Sequence, residues 1–289
     1  MRDWPNPLGR TRRTYLGELV SDHYEDWLEF AKTLAMEAGD MIVEAREGST
    51  FLRNYKMDHE LVTTTDIAVD QFICRRIQEV YPQHCILSEE SSPNLDLAQV
   101  REDVPVWVID PIDGTVNFAH GHHHVAVSIG LYMGDQRILG VVNAPFLAEC
   151  FWALKGSGAF CNGRTLAVSG AKELRNALVA TGFPYQKTAL SPIIERVSRI
   201  LHHCQDVRRN GSAALDLCWV AAGRLDAYFE SVKPWDMAAG AIIAEEAGAK
   251  LGRYMSKASK WPNVVNGEGL LVSTPELHDD LLALINLEF

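Results

Sequence analysis

The sequence predicts a mixed α+β fold, and three stretches carry that expectation. Two amphipathic helical patterns open the chain, short β-branched and aromatic segments fill its middle, and the last third alternates between helix and strand periods. No proline- or serine-rich linker, internal repeat or low-complexity tract interrupts this order, so residues 23–289 read as one domain, with subdomains at roughly 23–175 and 176–289. Residues 1–22 show no period and read as an N-terminal arm, whose Arg10, Arg12 and Arg13 suit an acidic surface of this chain or a neighbour.

From Tyr24 to Glu47, Trp27, Ala31, Leu34, Ala38, Met41, Ile42 and Ala45 fall on one helical face, and Gly48 is a fitting stop. A second helix follows "TTTD", with Val69, Phe72, Ile73, Ile77 and Val80 as its stripe and Pro82 beyond it. "HCILSEES" and "VPVWVID" read as short buried strands. "VAVSIGLYM", "RILGVVNAP" and "ECFWALKG", broken by "GD", "AP" and "GSG", have the pattern of an antiparallel meander. After "LVATGF" come a helix (Ile193 to Cys204), a short strand, a helix (Ala213 to Ala222), the strand "DAYFE", a helix (Asp236 to Ala247), the strand "LLVS" and a last helix through Leu281 to Ile285.

Composition bounds the function. An apolar fraction of 47% over 289 residues supplies a sizeable core, and no run reaches the length of a membrane span. The N-terminus lacks the apolar segment of a secretory signal, so the expected setting is cytoplasmic. The six cysteines lie far apart in apolar surroundings, which argues for reduced thiols and against disulfides or structural zinc. A formal net charge of −11 opposes nucleic-acid binding through a basic footprint, and makes multivalent cations a natural means of handling an anionic ligand.

"WVIDPIDGTVNF", residues 107–118, sets two aspartates against the end of an apolar strand. Pro111 fixes its own φ and offers no N–H, so Asp110 and Asp113 can converge on one point. The proline is also expected to end the strand ladder and to free the Ile112 carbonyl as a third oxygen. Hard oxygen donors without thiol or imidazole favour Mg²⁺ or Mn²⁺ over zinc. Gly114 and Thr115 then suit a helix start whose N–H groups face an anion.

Each of these signals has a plainer reading. "DPIDG" alone is a type I turn, Glu89 and Glu90 a solvated loop, Asp66 a first-turn helix acid, and Asp236 in "PWDMAAGAIIAEEAG" an N-terminal cap. His120 and the run His122 to His124 do not make a metal site, since three adjacent histidines on a strand cannot all face one point.

The blocks occur together and in order: "LVTTTD", "ILSEES", "WVIDPIDGTVNFAHG", "RNGSAALDLCWVAAGRLDAYFE" and "PWDMAAGAIIAEEAG". In this the chain resembles the inositol monophosphatase family, from about Asp26 to the last helix, which leaves the arm outside. The resemblance implies the layered αβαβα sandwich shared with fructose-1,6-bisphosphatase. It implies that Glu89, Asp110 and the Ile112 carbonyl hold one Mg²⁺, that Asp110, Asp113 and Asp236 hold a second, and that a third, weaker ion leans on Glu89, with Mn²⁺ as a substitute. Thr115 and Asp66 resemble the dyad that takes a proton from water, with Glu89 or Glu90 as the competing base. The N–H groups of Gly114 and Thr115 would hold phosphate oxygens, Asp113 and Asp236 would border the substrate, and Ser212, Ala213 and Glu230 would contact the leaving alcohol. Lys56 lies near the family's lysine beside the metal-site loop.

The implied activity is Mg²⁺-dependent hydrolysis of a small phosphomonoester such as an inositol monophosphate, by a lithium-sensitive homodimer. Fructose 1,6-bisphosphate, histidinol phosphate and a 3′-phosphoadenosine nucleotide are alternative substrates for the same chemistry, and a non-catalytic regulatory or scaffold protein is the alternative from another class. Nucleotide-transfer enzymes are disfavoured because neither a G-x-x-x-x-G-K-[ST] nor a G-x-G-x-x-G loop is present. Two departures from the family pattern stand out: Ser88 replaces the usual glycine, and the spacing from Glu230 to Asp236 is one residue short.

Overall fold

The computed structural model describes residues 12–48, 51–55, 61–184, 190–255 and 259–286. Helix α1 (Arg12–Glu47) leads to a hairpin, β1 (Arg53–Tyr55) and β2 (Leu61–Thr63), and to α2 (Thr64–Val80). The strands β3 (Cys85–Ser88) and β4 (Val106–Asp113), helix α3 (Thr115–His120) and strands β5 (Ala126–Met133), β6 (Gln136–Ala144), β7 (Glu149–Leu154), β8 (Gly158–Cys161) and β9 (Arg164–Thr165) complete the first half. The second half runs β10 (Leu178–Thr181), α4 (Ser191–His203), β11 (Asp206–Arg208), α5 (Ala213–Ala221), β12 (Ala227–Glu230), α6 (Pro234–Glu246), β13 (Lys250–Arg253), β14 (Leu270–Ser273) and α7 (Pro275–Asn286).

A seven-stranded sheet of order β3-β4-β5-β6-β7-β8-β9 and a five-stranded sheet of order β11-β10-β12-β14-β13 are the two β layers. Side-chain alternation assigns the three helical layers. On β12, Ala227 and Phe229 pack outward with Leu281 of α7 and Ile200 of α4, while Tyr228 between them packs inward with α5 and α6. On the larger sheet, Trp107, Ile109 and Val141 meet Leu34 and Ile73 of α1 and α2, whereas Val142, Phe151 and Ala153 meet the α5–α6 layer. The result is the layered αβαβα sandwich that the resemblance implies.

Helix α1 buries the expected stripe, with Ala31, Leu34, Ala38 and Ile42 fully covered. Its backbone is already helical at Arg12, the first described residue, ahead of Tyr24, so the helix reaches into the segment expected to be an aperiodic arm. Once tertiary packing has nucleated a helix, each further residue adds one hydrogen bond, and the helix outruns the apolar period that marked it. At its other end Arg46 donates to the carbonyls of His122 (2.9 Å) and Phe118 (3.2 Å), which ties α1 to the far end of α3.

Helix α6 lies directly on the larger sheet. Gly130 and Gly140 are paired across β5 and β6. A Cβ on Gly140 would stand 2.4 Å from the Ala239 carbonyl oxygen, and one on Gly130 2.9 Å from the Ala238 Cβ. Two facing positions without side chains therefore set the depth of α6 and, with it, the place of Asp236.

One sequence expectation fails here. Pro111 does not end the ladder: β4 continues to Asp113, which pairs with Ala126 after a bulge between Asp110 and Asp113. A bulge leaves residues unpaired without ending the strand, so the missing N–H of Pro111 falls where no partner is needed.

Candidate active site

A cleft of about 720 Å³ opens where β3, β4 and α3 of the first half meet α5, β12 and α6 of the second. Glu89, Asp110, Ile112, Asp113, Gly114, Thr115, Ser212, Ala213, Glu230 and Asp236 all line it, so ten of the residues singled out from sequence share one surface. Asp66 stands just behind it. Glu90 is half-buried and is not part of the lining, and Lys56 lies outside the described residues.

Local chemistry explains each placement. Asp66 closes a capping box at the start of α2, its Oδ2 accepting from the Thr63 N–H at 2.8 Å. Its Oδ1 accepts from the Thr115 hydroxyl at 3.0 Å, so the carboxylate that caps the helix also contacts Thr115. That hydroxyl also lies 3.1 Å from the Ile112 carbonyl, and with one hydrogen it serves one acceptor at a time. Gly114 begins α3 at φ +95, where an added Cβ would stand 2.9 Å from the His124 carbonyl oxygen. Asp110 accepts from the Ile112 N–H at 3.0 Å across the bulge.

Asp113 does something the sequence did not foretell. Its Oδ2 accepts from the Ser212 hydroxyl and the Ala214 N–H, each at 2.6 Å, and its Oδ1 accepts from the Ala213 N–H at 3.3 Å. A carboxylate from the first half thereby caps a helix of the second, and the donors of Ser212 and Ala213 point at Asp113. Asp236 caps α6 by accepting from the Lys233 N–H at 2.8 Å, and it borders the cleft.

Electrostatics separates the two ends. Burial, and then the charges of Glu89, Asp113, Asp236 and Asp66, raise the Asp110 carboxyl well above the usual carboxylate range. Burial also lifts Asp113 to about 6, against the Ser212 and Ala214 hydrogen bonds. At the opposite end burial pushes Glu230 to about 7, moderated by the Tyr228 hydroxyl, which donates to it at 2.5 Å. Among the described residues no three carboxylate, imidazole or thiol groups are already drawn together closely enough to grip an ion. The donor set nonetheless fits a hard divalent cation: four carboxylates act on Asp110, and neither histidine nor cysteine lines the cleft among the described residues.

The profile of the Inositol monophosphatase family matches residues 23–287. The chain belongs to the inositol monophosphatase family. It is 40% identical over 225 residues to the Nus factor SuhB of Vibrio cholerae, covering 77% of this chain and 83% of that one. It is 39% identical over 236 residues to inositol monophosphatase 2 of Solanum lycopersicum, covering 78% and 86%. Among solved structures, the Thermotoga maritima IMPase superposes with a TM-score of 0.79 at 30% identity, over 90% of this chain and 97% of that one.

Within the inositol monophosphatase family the two departures have visible consequences. The short spacing before Asp236 does not turn Glu230 away, because Glu230 still lines the cleft, packed so closely on Gly182 that an added Cβ there would overlap its carboxylate. Ser88 is fully buried and donates to Asp70.

Asp216, Arg209 and Tyr228 are the residues that sequence reasoning passed over. Asp216 lines the cleft at 1% exposure, accepts from Asn210 at 2.7 Å and lies 3.2 Å from the His124 ring. An acid inside the otherwise apolar "AALDLCWVAA" was the signal available. The histidine run is dispersed: His123 stacks on Phe146 and His124 packs edge-on against Trp219. Among the described residues no helix is long and apolar enough to cross a membrane.

Proposed function

We propose that the chain is a divalent-cation-dependent phosphatase that hydrolyses a small phosphomonoester of the inositol monophosphate type. The observation that supports it most is Asp110, buried among four further carboxylates at one end of a cleft of about 720 Å³, a charge arrangement that invites Mg²⁺. Glu89, Asp110 and the Ile112 carbonyl would hold one ion, and Asp110, Asp113 and Asp236 a second. Bound there, divalent cations lower the pKa of water and offset the charge of a phosphoryl group.

The chain's own residues do the rest. Asp66, whose carboxyl burial raises above its usual range, receives through the Thr115 hydroxyl the proton that water gives up. Gly114, which only a residue without a side chain can occupy, leaves backbone room for phosphate oxygens beside Thr115. Glu230 meets the hydroxyls of the leaving alcohol, as acceptor when ionised and as donor when protonated, because its value sits near neutrality.

Phosphate release from a panel of phosphomonoesters, with Mg²⁺, with a chelator and with Li⁺, tests this reading. Inositol 1-phosphate should be turned over faster than an aryl phosphate, the chelator should abolish release, and Li⁺ should inhibit it. Absence of release from every member of the panel would favour a regulatory role, for which the name of the Vibrio relative is a precedent in that protein. The same preparation, run on a light-scattering column, tests the expected homodimer.

A further inference from the structure

Helix α2 buries two carboxylates one turn apart, Asp66 and Asp70, each 1% exposed. A buried acid is costly unless its oxygens are used, and Asp66 is accounted for by Thr63 and Thr115. Asp70 plays no part in the chemistry above. Its Oδ1 accepts a close hydrogen bond from the Ser88 hydroxyl and a weak one from the Cys74 thiol at 3.8 Å. Its Oδ2 is buried without a hydrogen-bond partner.

Ser88 is the last residue of β3, and Glu89 follows it at the mouth of the cleft. The backbone here is tied along the strand: Ser88 N–H donates to the Ser92 hydroxyl oxygen at 3.1 Å, and Glu89 N–H donates to the Ile109 carbonyl at 3.2 Å. Those bonds set the height of Glu89 on the sheet edge. The Asp70–Ser88 contact adds a side-chain tie that holds this strand end against α2. Side chains alternate along a strand, so with Ser88 turned toward α2 Leu87 faces the opposite side, and Glu89, in the turn directly after the strand, lines the cleft. Leu87 packs with Trp235 and Ala238 of α6. The Ser91 hydroxyl, 3.5 Å from the Cys74 sulfur, holds the following turn against the same helix.

We propose that Asp70 and Ser88 form a buried brace that aims Glu89 at Asp110, making Asp70 a positioning residue for cation binding; its kinetic consequence rests on the phosphatase reading. A glycine at 88, as the family resemblance leads one to expect, has no hydroxyl to brace. This chain therefore ties the strand end that carries Glu89 to α2, the helix that also carries Asp66. A brace needs an acceptor oxygen at 70 and a donor at 88, and does not need the charge of Asp70.

Binding of Mn²⁺ to the full chain, followed by electron paramagnetic resonance, tests this in Ser88→Ala, Ser88→Gly, Asp70→Ala, Asp70→Asn and the Ser88→Ala/Asp70→Ala double variant. Loss of a group that orients a metal ligand costs about 10–100-fold in metal affinity. Ser88→Ala, Ser88→Gly and Asp70→Ala should each weaken Mn²⁺ binding about tenfold or more, and the double variant should be no weaker than the worse single. Asp70→Asn, which keeps an acceptor, should stay within about threefold of the parent. The Mg²⁺ concentration for half-maximal phosphate release should rise in parallel, with substrate KM at saturating Mg²⁺ unchanged.

Parent-like Mn²⁺ binding in either serine variant overturns the brace, as do additive losses in the double variant. Asp70→Asn as weak as Asp70→Ala overturns it too, because charge would then be the agent. Either serine variant removes at most two heavy atoms, so a folded protein remains to be measured if Asp70→Ala fails to fold. A parent chain that binds Mn²⁺ but releases no phosphate sinks the phosphatase reading and leaves the Mn²⁺ result to judge the brace. A parent chain that binds no Mn²⁺ sinks the brace as well.

Discussion

At one end of the cleft Asp110 faces Glu89, Asp113, Asp236 and Asp66; at the other, Glu230 takes the Tyr228 hydroxyl and Asp216 takes Asn210 and His124. The residue types are alike and the accounting of charge differs. At the first end the acids raise the Asp110 carboxyl together in a buried place, although Asp113 takes donors from Ser212 and Ala214. The second adds a cation from within, because the charge of Arg209 lowers both Glu230 and Asp216. On the proposed function, a cation would sit at the first end and the hydroxyl groups of the leaving alcohol at the second.

Removing Asp110's charge breaks the first side of that comparison. Asp110→Asn should lower phosphate release by about 10³-fold, in the range of losing one group that stabilises transition-state charge. In the presence of a chelator the same variant should melt about 2–4 °C higher than the parent, because relief of a buried repulsion is worth about 1 kcal/mol. A variant that melts lower in chelator would mean the carboxylates are not in conflict.

Glu230 sharpens the second side through pH. Its folded value, about 7, lies above its ordinary 4.5, so the folded chain holds that proton more tightly than the unfolded chain does. The resulting stability is complete below about pH 4.5 and is lost as pH rises through about 7. Denaturant titrations at pH 5 and pH 8 should show the parent losing up to ~3 kcal/mol more than Glu230→Gln does. Equal losses would mean that Glu230 is not held in a desolvated place.

The two ends are joined through α6, and Gly140 tests that joint. Gly140→Ala places a methyl against the Ala239 carbonyl and the Ile242 side chain, and should cost about 1–3 kcal/mol as the helix is pushed off the sheet. Activity should fall with it, since Asp236 rides on the same helix. Unchanged melting would show that α6 sits less tightly than the close approach indicates. The smallest effect belongs to Tyr228→Phe, which removes the donor to Glu230. It should cost about 1 kcal/mol in stability and raise KM a few-fold at constant kcat, as fits a contact made equally in ground and transition states.

Much of the fold was legible because burial follows local periods. The stripe of α1, the meander β5 to β7 and the alternation of α4, β11, α5, β12 and α6 all have patterns that repeat within a few residues. The Pro111 bulge was not legible, since a proline without an N–H reads the same whether a ladder ends there or skips a pair. The arm's helical continuation to Arg12 carried no apolar period to announce it. In the candidate site, the aspartates of "DPIDG" announced themselves by sitting where an apolar strand ends. Asp70 and Asp216 hid inside apolar helix patterns, where a single acid leaves the period intact.

Taken alone, the order of residues determined the family, the layered architecture and the set of acids from which the cleft is made, because each is encoded in contiguous blocks of chain. Tertiary packing decided what those acids face. Asp113 reaches across to cap α5, Tyr228 turns inward to hold Glu230, and α6 settles on paired glycines at the depth that brings Asp236 beside Asp110. Distances between elements far apart in the chain follow from how side-chain volumes fit together, and no local pattern records that fit.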